Sequence, residues 1–158
     1  MSNQIVYPVA SEIAAAAYIS EDDYQSLYDR SITDSENFWS EQAESYLAWD
    51  DKWDRVMRCD FQTGKIRWFE GGRLNVSYNC LDRHLESKGD DTAIIWEGDE
   101  PGDERLISYR ELHSEVSRFG NLLKSRGVNK GDRVAIYMPM IPEAVVAMLA
   151  CARIGAVH

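Results

Sequence analysis

Nothing in this sequence approaches the ~20 consecutive apolar residues that a membrane-spanning helix needs. The longest apolar run, Ala144 to Ala152, falls far short of that. Basic clusters are missing as well. Acidic residues number 27 against 17 basic ones, the net charge is −10, and no block of Lys or Arg interrupts the acidic balance. Nucleic acids and anionic membranes both select a basic footprint, so neither is an expected partner. Cysteine is scarce: Cys59, Cys80 and Cys151 lie far apart with no Cys-x-x-Cys pair, which supports neither a zinc site nor a disulfide framework. A reducing, cytoplasmic location is the expectation. Ile13 to Tyr18, with Ala14 to Ala17 inside it, has the look of a signal-peptide core, but no Lys or Arg precedes it and the run is too short.

What is present is punctuation for helices and strands. Ser11 is a candidate cap for a short Ala-rich helix. Ser20-Glu-Asp-Asp23 is a capping box with Asp in place of Glu, followed by Tyr24, Leu27 and Tyr28 at helical spacing. A second helix opens near Asp34 or Ser35, with Trp39, Ala43, Tyr46 and Leu47 on one face. Trp49 and Trp53 follow, and helically spaced or clustered tryptophans of this kind are read as packing residues. Asp60 to Gly64 is a turn, and Ile66 to Phe69 is a short strand. Glu70-Gly-Gly-Arg73 has neither Walker nor GxGxxG spacing and is read as a tight turn. Leu74, Tyr78, Leu81 and Leu85 form a helical stripe with Asn75 as cap, and His84 beside it is expected at the surface.

Thr92 to Trp96 and Arg105 to Ser108 read as antiparallel strands around the acidic stretch Glu97 to Glu104, which lacks the alternating ligand order of a calcium loop. Ser108-Tyr-Arg-Glu111 is a full capping box. Behind it Leu112, Val116, Phe119 and Leu123 share one face, Gly127 ends the helix, and His113 and Lys124 are expected to be exposed. Cys80 and Cys151 are expected as small core residues.

The last 28 residues, Gly131 to His158, carry the strongest pattern. Val134 to Met138 reads as a strand buried on both faces, Pro142 as the first residue of a helix over 143–154, and Gly155 as its stop. Ala156 to His158 then restarts an extended segment, which is two thirds of a strand-helix-strand unit. That helix is apolar almost all round and must be covered. With no cover visible in the sequence, the expectation is the N-terminal piece of a longer protein, and an unshielded apolar surface over 134–158 through which the chain could self-associate.

Five stretches carry a more specific signal. Trp68-Phe-Glu-Gly-Gly-Arg-Leu-Asn75, Asn79-Cys-Leu-Asp-Arg-His-Leu85, Thr92-Ala-Ile-Ile-Trp-Glu-Gly98, Ile107-Ser-Tyr-Arg-Glu-Leu112, and Tyr137-Met-Pro-Met-Ile-Pro-Glu-Ala144 continuing through Met148 to His158 resemble AMP-forming acetyl-coenzyme A synthetases of the adenylate-forming superfamily. Propionate–CoA ligases are similar too, but Asn79 to His84 and Ile94 to Gly98 favour the acetate enzymes. The resemblance implies an α/β fold: a helical, Trp-rich arm over residues 1–85, then the start of the AMP-binding domain over 86–158. It also implies a ligase that uses acetate, ATP, Mg²⁺ and coenzyme A. The family's phosphate loop, acetate pocket and catalytic lysine have no counterpart in 1–158. No catalytic, cofactor-binding or metal-ligating residue is therefore assigned here, and the chain alone is expected to be inactive. The alternative is a short, non-catalytic binding module built on the same scaffold.

Overall fold

A capping box places the longest helix of the first of two compact units. The computed structural model describes residues 7–158, which gather into one unit ending at Ser45 and a second over Tyr46–His158. Helix α1, Ser11–Ala16, starts from Ala10 without a side-chain cap, so Ser11 is a helical residue and not the cap expected of it. Helix α2, Glu21–Thr33, has the full capping box: Asp23 N–H donates to Ser20 Oγ at 3.1 Å, and Ser20 N–H donates back to the Asp23 carboxylate at 3.2 Å. Those Ser20 bonds hold the Asp23 carboxyl below its usual range. Tyr24 and Tyr28 stack along the helix but stay exposed. Helix α3, Ser35–Tyr46, begins where expected and turns differently. Phe38 and Ala43 are buried, while Trp39 lies edge-on against Phe38 and is 42% exposed. The Arg30 guanidinium lies over the Phe38 ring and pairs with Glu41 at 2.5 Å, which ties α2 to α3.

The second unit opens on an antiparallel hairpin, β1 (Arg55–Asp60) and β2 (Lys65–Glu70). Its turn is an Asx turn, in which Asp60 Oδ1 accepts from the Gln62 and Thr63 amides and Gly64 takes φ 68°. β1 escapes the sequence pattern because Arg55, Arg58 and Asp60 interrupt any alternation and most of the strand is exposed. Near the end of β2, Phe69 packs on Trp53 and Trp49, with ring centroids 4.9 and 5.5 Å apart. The tryptophans are packing residues, as read. The double glycine follows from this cluster. Gly71 adopts φ 84°, and a Cβ on Gly72 would stand 2.7 Å from the Trp49 ring. Gly72→Ala is therefore expected to cost about 1–3 kcal/mol by overpacking. A urea titration followed by tryptophan fluorescence reads this directly, and an unchanged midpoint would disprove the close approach.

The stripe from Leu74 to Leu85 is not one helix. Helix α4, Val76–Cys80, is capped by Asn75, whose side chain accepts from the Tyr78 amide; a 3₁₀ turn, Asp82–His84, and a single helical turn, α5 (Leu85–Lys88), follow. The break falls at Leu81, which leaves helical geometry and is 2% exposed. Ser77 and Leu81 take the buried positions, and Cys80, one step out of phase, is exposed instead of the core residue expected. His84 is half-buried, with its ring on Tyr109.

Strands β3 (Thr92–Glu97) and β4 (Glu104–Ser108) pair antiparallel across the acidic connection, where Gly98 N–H donates to the Asp103 carbonyl at 2.6 Å. Helix α6, Tyr109–Ser125, starts with the expected capping box at Ser108. Leu112 and Val116 on its inner face are buried with Leu81, Ile107, Val146 and Ala150, and Phe119 and Leu123 pack against them. Helix α7, Pro142–Ile154, has proline in its first turn and Gly155 in the left-handed region, φ 76°, after its last turn.

One expectation for the C-terminal segment is corrected. Residues 134–138 form no strand and are largely exposed, Tyr137 completely so. What forms is one parallel bridge between Arg133 and Val157, with Val134 N–H donating to the Val157 carbonyl and Val157 N–H to the Asp132 carbonyl, both at 2.8 Å. A ladder needs a second edge to pair with, and a single bridge holds only its own residues. Helix α7, in turn, is covered by α6 and α4. Val146, Ala147, Ala150 and Cys151 are buried, which leaves Met148 exposed and Val145, Leu149 and Ile154 half-buried.

Candidate functional site

Where α7 ends, side chains from four elements meet in a half-buried polar junction. The Arg153 guanidinium grips the Asp82 carboxylate with both nitrogens, at 2.7 and 2.6 Å. Its Nη1 also reaches Ser77 Oγ on α4 at 3.3 Å, and its Nη2 stands 3.1 Å from His113 Nε2 on α6. That same imidazole nitrogen is 3.2 Å from Asp82 Oδ1. The Arg153 bonds hold the Asp82 carboxyl below the ordinary range, against the opposing effect of burial, and Arg153 in turn is held more firmly protonated. Asn75 works in two directions: its oxygen caps α4, and its amide donates to the Arg153 carbonyl at 3.1 Å, at the open end of α7. Asn79 clasps the Ala48 backbone, accepting from its amide at 2.7 Å and donating to its carbonyl at 2.9 Å.

Ser77, Asp82 and His113 in one cluster invite a nucleophilic reading, which the geometry rules out. Ser77 is fully buried, beyond reach of a substrate, and its partner is a guanidinium that can take no proton. The arrangement is a clamp that joins α4, the 3₁₀ turn, α6 and α7. His113, expected in solvent, belongs to it; the phase of α6 nevertheless stands, because its partners are polar and Lys124 is exposed.

No phosphate cradle forms at Gly71-Gly72. The space a Gly71 Cβ would enter holds the Asp54 carboxylate, 2.5 Å away, and a phosphate there would meet its negative charge. Among the described residues no three His, Cys, Asp or Glu side chains are placed to hold a metal ion. No helix among them is long and apolar enough to cross a membrane. A polar cleft of about 550 Å³ runs between α6 and α7, lined by Ser117, Asn121, Lys124, Asn129, Lys130 and Arg153. It contains no nucleophile paired with a base.

Two family models cover the chain in tandem: "Acetyl-coenzyme A synthetase N-terminus" over residues 24–80 and "AMP-binding enzyme" over 81–158. They meet without a gap at Leu81, where α4 gives way to the 3₁₀ turn. The chain belongs to the acetyl-coenzyme A synthetase family. It is 61% identical over all 158 residues to an acetyl-coenzyme A synthetase of Magnetococcus marinus and 60% identical over the same length to one of Alkalilimnicola ehrlichii. It spans 24% of the length of each of these relatives. Among solved structures, the acetoacetyl-CoA synthetase from Streptomyces lividans superimposes with a TM-score of 0.76 at 31% identity, covering 94% of this chain and 22% of that one. The stretches that carry the family likeness supply Asp82 and Arg153 of the clamp and the two asparagines beside it, while Ser77 and His113 fall just outside them. Asn75 and Asn79 lie in the Gly-Gly-Arg-Leu-Asn and Asn-Cys-Leu-Asp-Arg-His runs, and Arg153 precedes Ile-Gly-Ala-Val-His. Sequence reasoning missed the clamp because Asp82 and Arg153 stand 71 positions apart with no local spacing to connect them.

Proposed function

We propose that this chain supplies the arm (1–85) and the opening α/β segment (86–158) of an AMP-forming acetate–CoA ligase, and that it holds scaffold and no catalytic, cofactor-binding or metal-ligating residue. In the reaction proposed for the whole enzyme, an acetate oxygen attacks the α-phosphate of ATP and expels pyrophosphate. The thiol of coenzyme A then attacks the acetyl carbonyl and AMP leaves. The observation that carries this reading is the end-to-end identity of 60% with acetyl-coenzyme A synthetases. It agrees with a polar junction whose groups are all engaged with one another and leave nothing aimed at a substrate.

Acetate-dependent ATP–pyrophosphate exchange tests it in two arms. The 158-residue chain by itself should give no exchange above buffer. Co-expressed with the remaining three quarters of the Magnetococcus marinus enzyme, it should restore exchange, with acetate preferred over propionate. Exchange by the chain alone, after stringent removal of host synthetase, would refute the scaffold role. Failure to restore activity with a folded partner would refute the ligase assignment.

A further inference from the structure

One stretch of backbone in the second unit is set out for a partner that the described residues do not supply. Val157 N–H donates to the Asp132 carbonyl and Val134 N–H to the Val157 carbonyl, which together make one step of a parallel ladder. The ladder stops there. From Ala135 to Met138 no backbone N–H or carbonyl bonds to another described residue. The segment is nevertheless sided like a strand: Val134 and Ile136 are half-buried, while Ala135 and Tyr137 are exposed. Its far end is fixed by Trp96, whose indole N–H donates to the Met140 carbonyl at 2.8 Å. Pro139, which has no N–H, closes the row of donors. His158, next to the bridging Val157, lines an apolar cavity of about 410 Å³ with Ile94, Leu112, Val145 and Leu149.

We propose that Val134 to Met138 is a docking edge for one parallel β-strand, and that its occupant is the segment following position 158 in the longer acetyl-coenzyme A synthetases. This rests on the ligase reading above, in which a chain spanning 24% of its relatives meets the rest of the enzyme. The bridge sets the register. Bonds in a parallel ladder recur every second residue, so the second residue after Val157 donates to the Val134 carbonyl and accepts from Ile136 N–H. The fourth donates to the Ile136 carbonyl and accepts from Met138 N–H. Ala135 and Tyr137 turn their amides toward the opposite edge. Side chains alternate across a strand, so the residue two places beyond His158 faces the same cavity and should be apolar. The bridge already aligns this continuation, whereas a second copy of the chain would lose its translational and rotational freedom on docking.

Residue-resolved hydrogen exchange tests the edge in the chain alone and in a chimera where this chain replaces the matching quarter of the Magnetococcus marinus enzyme. The Ile136 and Met138 amides should exchange freely in the first and slow by about a hundredfold or more in the second. Should the chimera not fold, the same two amides in the co-expressed pair of pieces decide the question. A chimera active in acetate-dependent exchange, with both amides still fast, would overturn the docking edge and leave the ligase reading standing. Slow amides in a folded but inactive chimera would support the edge and count against the ligase reading. Slowing at Ala135 and Tyr137 alone would place the strand on the opposite edge and overturn the register. Protection in the chain alone that fades on dilution would assign the edge to a second copy, which also overturns the proposal.

Discussion

Leu81→Ala is expected to destabilise the second unit by about 2–5 kcal/mol, the range for emptying a well-packed leucine site. Leu81 is 2% exposed and touches the core formed by Ile107, Leu112, Val116, Val146 and Ala150. It also sits where α4 breaks into the 3₁₀ turn, so a collapse that would fill the cavity has to move a backbone held on one side by Asn75 and on the other by Asp82. Relaxation is therefore limited, and the cost should lie toward the upper end of the range. Denaturant unfolding followed by tryptophan fluorescence gives the measurement, with Leu122→Ala as the contrast. Leu122 is on α6 but 47% exposed, and its loss should change stability by no more than about 0.5 kcal/mol. Equal effects at the two positions would mean that the core is not organised around Leu81.

Arg153→Leu is the second large effect, expected at about 1–3 kcal/mol because it leaves the Asp82 carboxylate half-buried without its cation. The side chains of the pair are 26% and 19% exposed, which keeps the effect below that of a fully buried ion pair. Its signature is the dependence on acid. The Arg153 bonds lower the folded-state pKa of Asp82 relative to the unfolded chain. The pair's contribution is therefore complete above the unfolded value of about 3.9 and is lost as pH falls through the lower folded value. The unsubstituted chain should lose more stability below about pH 4 than Arg153→Leu does. Other depressed carboxylates, such as Asp23, Glu111 and Glu143, contribute acid sensitivity to both proteins, and subtracting the two curves removes them. Combining Asp82→Asn with Arg153→Leu should cost less than the sum of the single changes. Strict additivity, or parallel pH curves, would show that the pair is not coupled.

Much of this protein could be read from short stretches. The capping boxes at Ser20 and Ser108, the Asn75 cap, the proline start and glycine stop of α7, and the β3–β4 hairpin all appear where the sequence places them. The helix signals are contracts among residues within about one turn of each other, settled by backbone groups that need a partner there, and the hairpin joins strands adjacent in the chain. The likeness to acetyl-coenzyme A synthetases could be read in the same way, from ordered stretches that two family models then matched.

Orientation was legible only in part. The sequence could not say that Phe38 and not Trp39 turns inward, that Cys80 faces out, or that the Leu74–Leu85 stripe breaks at Leu81, because a helical stripe specifies a face only to within a residue and its neighbours choose the rest. Val134 to Met138 has the composition of a buried strand and is not one. Strand formation is a property of a pair, and here a single bridge to Val157 is the pairing that forms. The clamp shows the same division most sharply. Asp82, His113 and Arg153 are unremarkable charges along the chain, and only the packing of α6 and α7 against α4 brings their atoms within 3.2 Å. Local hydrogen bonding settles where elements begin and end; a charge cluster assembled across 71 residues exists only once the chain has folded around it.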